Sequence, residues 1–299
     1  MADLTLPLFA NPVAGRGRAG KRLARIVELL AERGIDAEVR ESGAVGDLER
    51  GVADAVSGGA DRVLVVGGDG SIHEATNGLL AGGDHASIGI IPSGTGNDFA
   101  KAAGIPLEWD TATQLLADRI VSGLAPRRID VGRVNGRYFA NGAGIGFDAR
   151  ITRIARGYRW PVGDLVYLLA IFRGMVDAIA TPTMSIRADG FEHDGPLTLA
   201  NVSNGPWIGG MFHIAPPANN EDGRLELVVV APVTRRRIVA LLPKLMRGTH
   251  LEQPEIAHRS VERVQVECAE PVPSHLDGEV QPLATRFEIE VLPGALRLL

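Results

Sequence analysis

The stretch Val63-Leu64-Val65-Val66-Gly67-Gly68-Asp69-Gly70-Ser71 decides how the rest of the chain is read. Four apolar β-formers without polar alternation suit a parallel strand covered on both faces. Three glycines in the next four positions admit positive φ and let a phosphate approach backbone N–H groups closely. One carboxylate, Asp69, stands in that turn. Beside a polyphosphate it would be repelled unless a cation lay between them, so the combination points to a Mg²⁺-nucleotide with Asp69 at the metal. Taken alone, the stretch equally describes an ordinary tight βα turn.

A second turn favours the nucleotide. Ser87-Ile88-Gly89-Ile90-Ile91 is another short apolar run, and it opens into Pro92-Ser93-Gly94-Thr95-Gly96-Asn97-Asp98. In an open α/β sheet both turns lie at the carboxyl ends of strands, where ligands bind. At these residues the sequence resembles a known family, the bacterial lipid kinases of the diacylglycerol kinase catalytic-domain class, related to sphingosine and ceramide kinases. Residues 67–71 look like that family's nucleotide signature, with Ser71 for the usual Thr, and residues 92–98 match its second one. The resemblance runs to the C-terminus. It implies ATP and Mg²⁺ as cofactors, with nucleotide contacts at Gly67, Gly68, Asp69, Gly70, Ser71, Gly94, Thr95, Asn97 and Asp98.

Composition sets outer bounds. With 299 residues, 45% apolar and 22% charged, the chain is long enough for two cores. A net charge of -5 gives no general basic field, so nucleic acid is not an expected partner. Cys268 is the only cysteine, which leaves no internal disulfide or Cys-rich zinc site and fits a reducing compartment. Met1-Ala2-Asp3-Leu4 lacks a basic segment before an apolar one, so a signal peptide is not expected. The apolar run Leu165–Phe172, closed by Asp164 and Arg173, is too short to span a bilayer. The expected place is the cytoplasm, peripheral at the inner face of the membrane.

In order along the chain, Leu4–Ala10 reads as a strand, then Asn11-Pro12-Val13-Ala14-Gly15-Arg16-Gly17-Arg18-Ala19-Gly20-Lys21 as a loop, then an amphipathic helix to Ala31. Gly15, Gly17 and Gly20 satisfy G-x-G-x-x-G, but four residues separate the strand from the first glycine. Gly15, Gly20 and Lys21 satisfy most of a P-loop, yet Arg22 stands where a hydroxyl must reach Mg²⁺. The resembled family places an Asn-Pro-x-(Ala/Ser)-Gly-x-Gly segment on the nucleotide phosphates, which assigns Asn11, Gly15 and Gly17. A flexible basic loop before a helix is the plainer reading. Ala37–Arg40 is the second strand, with Ser42 as a nucleotide contact at its end, and Asp47–Ser57 and the region around Glu74–Leu80 are helices. Glu74 is the family's acid after the glycine turn, although His73 replaces the Asn that commonly precedes it. His73 itself reads as a hydrogen-bonding helix residue. This alternation defines an α/β domain with a mostly parallel sheet over residues 1–124.

After Leu115–Val121 the pattern changes at Gly123-Leu124-Ala125-Pro126. Arg127–Val134, Arg137–Asn141, Thr183–Ala188, Leu197–Ser203, Leu225–Val230, Val261–Cys268 and Phe287–Leu292 read as strands, a β-sandwich domain over 125–299 whose extreme C-terminus packs back on the first. Val162–Ala180 is the one helical insert, either packed on the sandwich or walling an acyl-chain groove. The active site is expected in the cleft between the domains.

Three acidic segments of the second half remain. Gly144-Ile145-Gly146-Phe147-Asp148 reads as a glycine turn whose acid lines the cleft or caps the turn. Asn219-Asn220-Glu221-Asp222-Gly223-Arg224-Leu225 is a hairpin-like Asp-Gly turn, and the resemblance adds a structural Mg²⁺ at Asp222 with the carbonyls of Leu225 and Leu227. Leu276-Asp277-Gly278-Glu279 matches the family's Asp-Gly-Glu. Phosphoryl transfer to an alcohol needs a carboxylate within reach of the hydroxyl, so Asp277 and Glu279 are the catalytic candidates, on one face if the segment is extended. A favoured hairpin pair is the alternative.

These readings converge on an ATP-dependent lipid kinase with diacylglycerol as first-choice acceptor. Rivals are transfer to a sphingoid base, to phosphatidylglycerol or to a soluble substrate as in NAD kinases, and a non-catalytic lipid-binding protein. The expected partner is a lipid at a membrane surface, where the basic stretch from Arg235-Arg236-Arg237 to Arg247 could bear on the bilayer, and a homodimer is admitted.

Overall fold

The computed structural model of the chain describes residues 4–83, 85–158, 165–176 and 179–299. Two units divide it: Met1–Asp130 with Pro293–Leu299, and Val131–Leu292. Residues 1–3, read above for a signal peptide, lie outside the described residues.

The first unit alternates β1 (Leu4–Ala10), α1 (Ala14–Ala31), β2 (Ile35–Glu41), α2 (Asp47–Ser57), β3 (Arg62–Gly67), α3 (Asp69–Gly82) and β4 (Ser87–Pro92), followed by α4 (Asp98–Ala102) and α5 (Trp109–Val121). Its strands are parallel in the order β4-β3-β1-β2. Leu298, near the end of the chain, pairs in parallel with Ile88 of β4. Val63 to Val66 are fully buried. Leu64 and Val66 join Leu23, Ile26 and Leu30 of α1 and Ile120 of α5, while Val63 and Val65 alternate onto the opposite face. Burial of each such side chain contributes roughly 1.5–3 kcal/mol, so β3 is firmly fixed and so is the turn at its end.

That turn leads straight into a helix. Gly68 is extended and Asp69 is already helical, so α3 starts ahead of the expected Glu74. In α1, Gly15, Arg16 and Gly17 all have left-handed φ, and regular helix begins at Arg18, within the expected loop.

The rest of the chain forms β5 (Arg127–Val134), β6 (Arg137–Phe139), β7 (Gly142–Gly146), α6 (Phe147–Gly157), α7 (Leu165–Gly174), β8 (Thr183–Ala188), β9 (Phe191–Pro196), β10 (Leu199–Ser203), β11 (Leu225–Val230), α8 (Arg235–Arg247), β12 (Ile256–Val261), β13 (Arg263–Leu276) and β14 (Glu279–Leu298). In the second unit β12-β11-β10-β7-β13 make one antiparallel sheet, and β9-β8-β13-β14 make another. β13 serves both sheets. Its Val264–Cys268 pairs with β8, its Ser274–Leu276 with β7, and its register against β14 shifts between Glu267 and Ser274. A bulged, bent strand is how a sandwich turns its corner. Val264, Val266 and Phe287 meet Ile145, Val202 and Leu227 in the core.

Several expectations are corrected. Gly144–Gly146 is not a turn but the end of strand β7, and Asp148 sits in the first turn of α6. The insert expected over Val162–Ala180 is helical over Leu165–Gly174, and residues 162–164, 177 and 178 lie outside the described residues. It is not the one helix of this unit, since α6 and α8 flank the same sheet region in sequence. Among the described residues no helix is long and apolar enough to cross a membrane.

Cys268, at the end of the β8 pairing, is buried, and burial pushes its thiol up to about 11. Thiolate is then scarce at pH 8. Folded protein is expected to leave Cys268 unreacted with Ellman's reagent at pH 8 and to show one thiol on denaturation; rapid stoichiometric reaction of the folded form would contradict this burial.

Candidate active site

At the carboxyl ends of β1, β3 and β4 three loops are tied together by their backbones. Asn11 N–H donates to Val66 O at 3.1 Å, Ser93 N–H to Gly67 O at 2.8 Å, and Ser42 N–H, after β2, to Ala10 O at 2.9 Å. A Cβ on Gly68 would stand 2.8 Å from the Cα of Gly94, and one on Gly94 would stand 2.5 Å from the Cα of Gly68. The two glycine turns therefore touch backbone to backbone. Asp69 Oδ1 accepts the Phe99 N–H at 3.1 Å, and Asn97, in the left-handed region at φ 50°, accepts the Gly94 N–H on Oδ1 at 2.9 Å. Gly15 lies against Ser93, whose carbonyl a Cβ would meet at 2.1 Å. Arg18 clamps this contact, donating to Gly15 O at 2.9 Å and Gly94 O at 3.1 Å.

The result is a bare-backbone surface at the N-terminus of α3, where helix-terminal N–H groups and the helix dipole favour an anion. Asn11, Gly15, Gly67, Gly68, Asp69, Gly94 and Asn97 are gathered there. Ser71 is buried with its hydroxyl folded over Gly67, Thr95 is exposed, and Gly17 and Gly70 are half-buried. Two predicted residues are engaged otherwise. Glu74 Oε2 accepts the Glu49 N–H in the first turn of α2 at 3.4 Å, and buried Asp98 pairs with Lys101 at 3.2 Å. His73 is buried within α3.

In the second unit, Asp277 and Gly278 form the two-residue turn between β13 and β14, both with positive φ (50° and 82°), the type I′ pattern. The segment is thus not extended at Asp277. Its carboxylate does not face open water either. Oδ2 accepts the Ala140 N–H at 2.9 Å, and Oδ1 accepts those of Asn141 and Gly142 at 2.8 and 3.0 Å, while Asp277 N–H donates to Gly142 O at 2.8 Å. Such a carboxylate has one orientation. Glu279 is ion-paired with Arg156 of α6. Asp222 Oδ1 accepts the Arg224 N–H at 2.9 Å, closing its own turn, and Leu225 and Leu227 lie in β11.

Among the described residues no three His, Cys, Asp or Glu side chains are gathered to hold a metal. A divalent ion carried by nucleotide phosphates takes only one or two protein carboxylates, and Asp69, at a helix N-terminus between two bare glycine turns, fits that demand. Sequence reasoning missed Arg18, Lys101, Arg156 and His275. For His275 a signal existed in its position two residues before Asp277, and for Lys101 in its place three residues after Asp98; for Arg18 and Arg156 the contacts with Gly94 and Glu279 span too many residues to be read locally.

Comparison with known proteins agrees with this construction. Residues 5–134 match the Diacylglycerol kinase catalytic domain, and residues 142–299 match the YegS C-terminal NAD kinase beta sandwich-like domain. A Mycobacterium tuberculosis protein named "Diacylglycerol kinase" is 34% identical over 97% of this chain and 93% of its own length. A Pseudomonas aeruginosa protein named "Probable lipid kinase YegS-like" is 32% identical over 95% and 91%. A crystal structure of a diacylglycerol kinase from Bacillus anthracis str. Sterne superposes with a TM-score of 0.75 at 26% identity, covering 99% of this chain and 96% of that one. The chain belongs to the bacterial lipid kinase family that carries the diacylglycerol kinase catalytic domain. Its activity is ATP-dependent phosphoryl transfer to a lipid.

The contact between Gly68 and Gly94 is testable. Gly94→Ala forces two backbones apart, and overpacking of this kind costs roughly 1–3 kcal/mol. The variant is expected to melt several degrees lower and to bind ATP more weakly, measured by calorimetry on both scales; unchanged ATP affinity would separate the glycine contact from the nucleotide.

Proposed function

We propose that this kinase transfers the γ-phosphoryl group of Mg²⁺-ATP to the free hydroxyl of diacylglycerol, at the inner face of the cytoplasmic membrane. One observation carries the choice of a lipid over a soluble acceptor. The second unit, which also holds Asp277, contains a cavity of about 130 Å³ walled by Phe147 and Ile151 of α6, Tyr167 and Ile171 of α7, and Leu241 and Leu242 of α8. Its walls are almost wholly hydrocarbon, with Asp148 and Thr152 among the few polar groups. Each acyl methylene buried there contributes about 0.8 kcal/mol, so a handful of them outweighs any single polar contact in selecting a lipid over a soluble alcohol.

In this reading the lipid hydroxyl oxygen bonds to the γ-phosphorus as the bond to the β–γ bridging oxygen breaks, ADP leaves, and the hydroxyl proton passes to the Asp277 carboxylate. The three amide donors on Asp277 keep that acceptor in one place, which is what positioning requires. Asp69 holds the nucleotide's Mg²⁺, and the N-terminus of α3 holds phosphate. Radiolabelled transfer over a panel of diacylglycerol, sphingoid bases, phosphatidylglycerol and NAD tests the acceptor. Diacylglycerol is expected to give the highest kcat/KM, and a higher value for any other member would replace it.

Asp277→Asn probes the base. Asn must set an amide donor against at least one of three backbone donors, so a stability loss of about 1–3 kcal/mol accompanies the substitution, and the folded fraction has to be measured alongside. In the folded fraction kcat is expected to fall roughly 10²–10⁴-fold with ATP affinity nearly unchanged. Turnover within a few-fold of the parent would make Asp277 a structural turn residue; joint loss of turnover and ATP binding would refute the division of labour between the units.

Membrane attachment rests on α8. Arg237 is held by Glu255 and Gln253 and Arg235 donates to Val176 O at 3.0 Å; Arg235 and Arg236 are exposed at the start of the helix, Lys244 and Arg247 lie in its last turn, and it carries no acid. Sedimentation with vesicles is expected to increase with anionic lipid and to weaken in an Arg235→Ala/Arg236→Ala double variant. Binding indifferent to both removes the helix from the interface.

A further inference from the structure

A row of opposed residues crosses three strands of the second unit. His275 of β13 and Asn201 of β10 pair with Gly144 of β7 from its two sides. Opposed residues of antiparallel strands present their side chains on one face, so the row reads imidazole, nothing, carboxamide. The Asp148 carboxylate fills the space over the glycine from the first turn of α6. A Cβ at position 144 would stand 2.1 Å from Asp148 Oδ2 and 2.4 Å from His275 Nε2. Asn201 Nδ2 donates to Asp148 Oδ2 at 3.4 Å, His275 Nε2 lies 3.6 Å from the same oxygen, and the Ala149 N–H donates to Oδ1 at 2.8 Å.

The other ring nitrogen faces the turn. His275 Nδ1 accepts the Gly278 N–H at 3.3 Å, and the ring is only 1% exposed. A neutral imidazole that accepts at Nδ1 carries its proton on Nε2, on the side of Asp148. One buried imidazole thus stands between α6, where Asp148 borders the apolar cavity, and the second residue of the turn that presents Asp277: it is hydrogen-bonded to the turn, and its Nε2 faces Asp148 at 3.6 Å without a hydrogen bond.

We propose that His275 is a positioning residue for phosphoryl transfer: seated beside Asp148 in the space that Gly144 leaves open, it fixes the Asp277–Gly278 turn through the Gly278 N–H. The proposal rests on the reading of Asp277 as proton acceptor. His275 touches neither substrate in this scheme and acts only on where the Asp277 carboxylate stands. Catalysis is sensitive to that, since displacement of a reacting group by about 1 Å costs on the order of 10²-fold in rate.

Three substitutions separate the two ends of the ring. His275→Asn places an amide oxygen near the Nδ1 position and keeps an acceptor for Gly278; His275→Gln reaches toward Asp148 but abandons Gly278; His275→Ala removes both. With folding checked by thermal melting, kcat is expected to fall roughly 10–100-fold in the Ala and Gln variants and to recover to within about fivefold of the parent in the Asn variant, with KM for ATP unchanged. In an Asp277→Asn background, His275→Ala is expected to cause no further loss, because both act through one carboxylate. A kcat for His275→Ala within about threefold of the parent, an Asn variant as impaired as Ala, or losses that multiply in the double variant would each overturn the proposal while leaving the role of Asp277 intact, whereas normal turnover of Asp277→Asn alone would overturn that role first. ¹⁵N NMR of the imidazole nitrogens in the unmodified protein is an independent check: a proton on Nε2 is expected, and one on Nδ1 excludes the Gly278 contact.

Discussion

Backbone rests on backbone where Gly68 meets Gly94, and the nucleotide half of the molecule depends on that approach. It requires β3 and β4 to be parallel neighbours ending together, which their register provides by setting Gly67 opposite Pro92. Ser93 N–H to Gly67 O and Phe99 N–H to Asp69 Oδ1 then turn two separate loops into one surface. The absence of side chains on that surface lets the two turns meet at the start of α3, and under the proposed function the same absence makes room for phosphate. Gly15 extends the device to the loop after β1 by lying on the Ser93 carbonyl. The glycines are therefore needed for contact between loops as much as for contact with a ligand.

The second unit uses the same means for a different end. Gly144 clears one position in the middle of a sheet, and what enters is a carboxylate and an imidazole instead of a phosphate. A half-buried carboxylate is costly unless hydrogen-bonded, and Asp148 meets that condition with the Ala149 N–H and Asn201, while His275 stands beside it at 3.6 Å without a hydrogen bond. The polar groups around Gly144 thus stand next to a cavity whose walls are almost wholly hydrocarbon.

Where local chemistry and tertiary context agree, the sequence was readable. The run Val63–Val66, the helix Asp47–Ser57 and the strands Thr183–Ala188 and Leu225–Val230 each satisfy their own periodicity and appear as read. β7 was opaque because Gly-Ala-Gly-Ile-Gly has poor strand propensity; it is a strand because β10 and β13 pair with it from both sides. β9 and β12 are rich in polar residues and lack an apolar alternation. α6 and α8 interleave arginines with apolar residues at helical spacing, and the structure adds what their apolar faces line: the cavity against the sheet. In the site, the glycine turns could be read from composition, whereas Arg18, Arg156 and His275 act on residues fixed by pairing and packing.

Asp277 shows why a turn residue and a catalytic residue need not be rival descriptions. An Asp-Gly pair is favoured in a type I′ turn for its tolerance of positive φ, and Asn would serve the backbone at least as well. Asn would fail the surroundings, because Ala140, Asn141 and Gly142 all present donors and only a carboxylate accepts on both oxygens. Glu lacks the short side chain that makes the left-handed conformation tolerable and would carry its carboxylate one methylene past those amides. The fold thus selects Asp at 277 for its anchoring, and the anchoring delivers a carboxylate of single orientation in the unit that also holds the apolar cavity. A proton acceptor for an alcohol needs that same immobility, so under the proposed function the constraint that builds the hairpin also prepares the group that the transfer step requires.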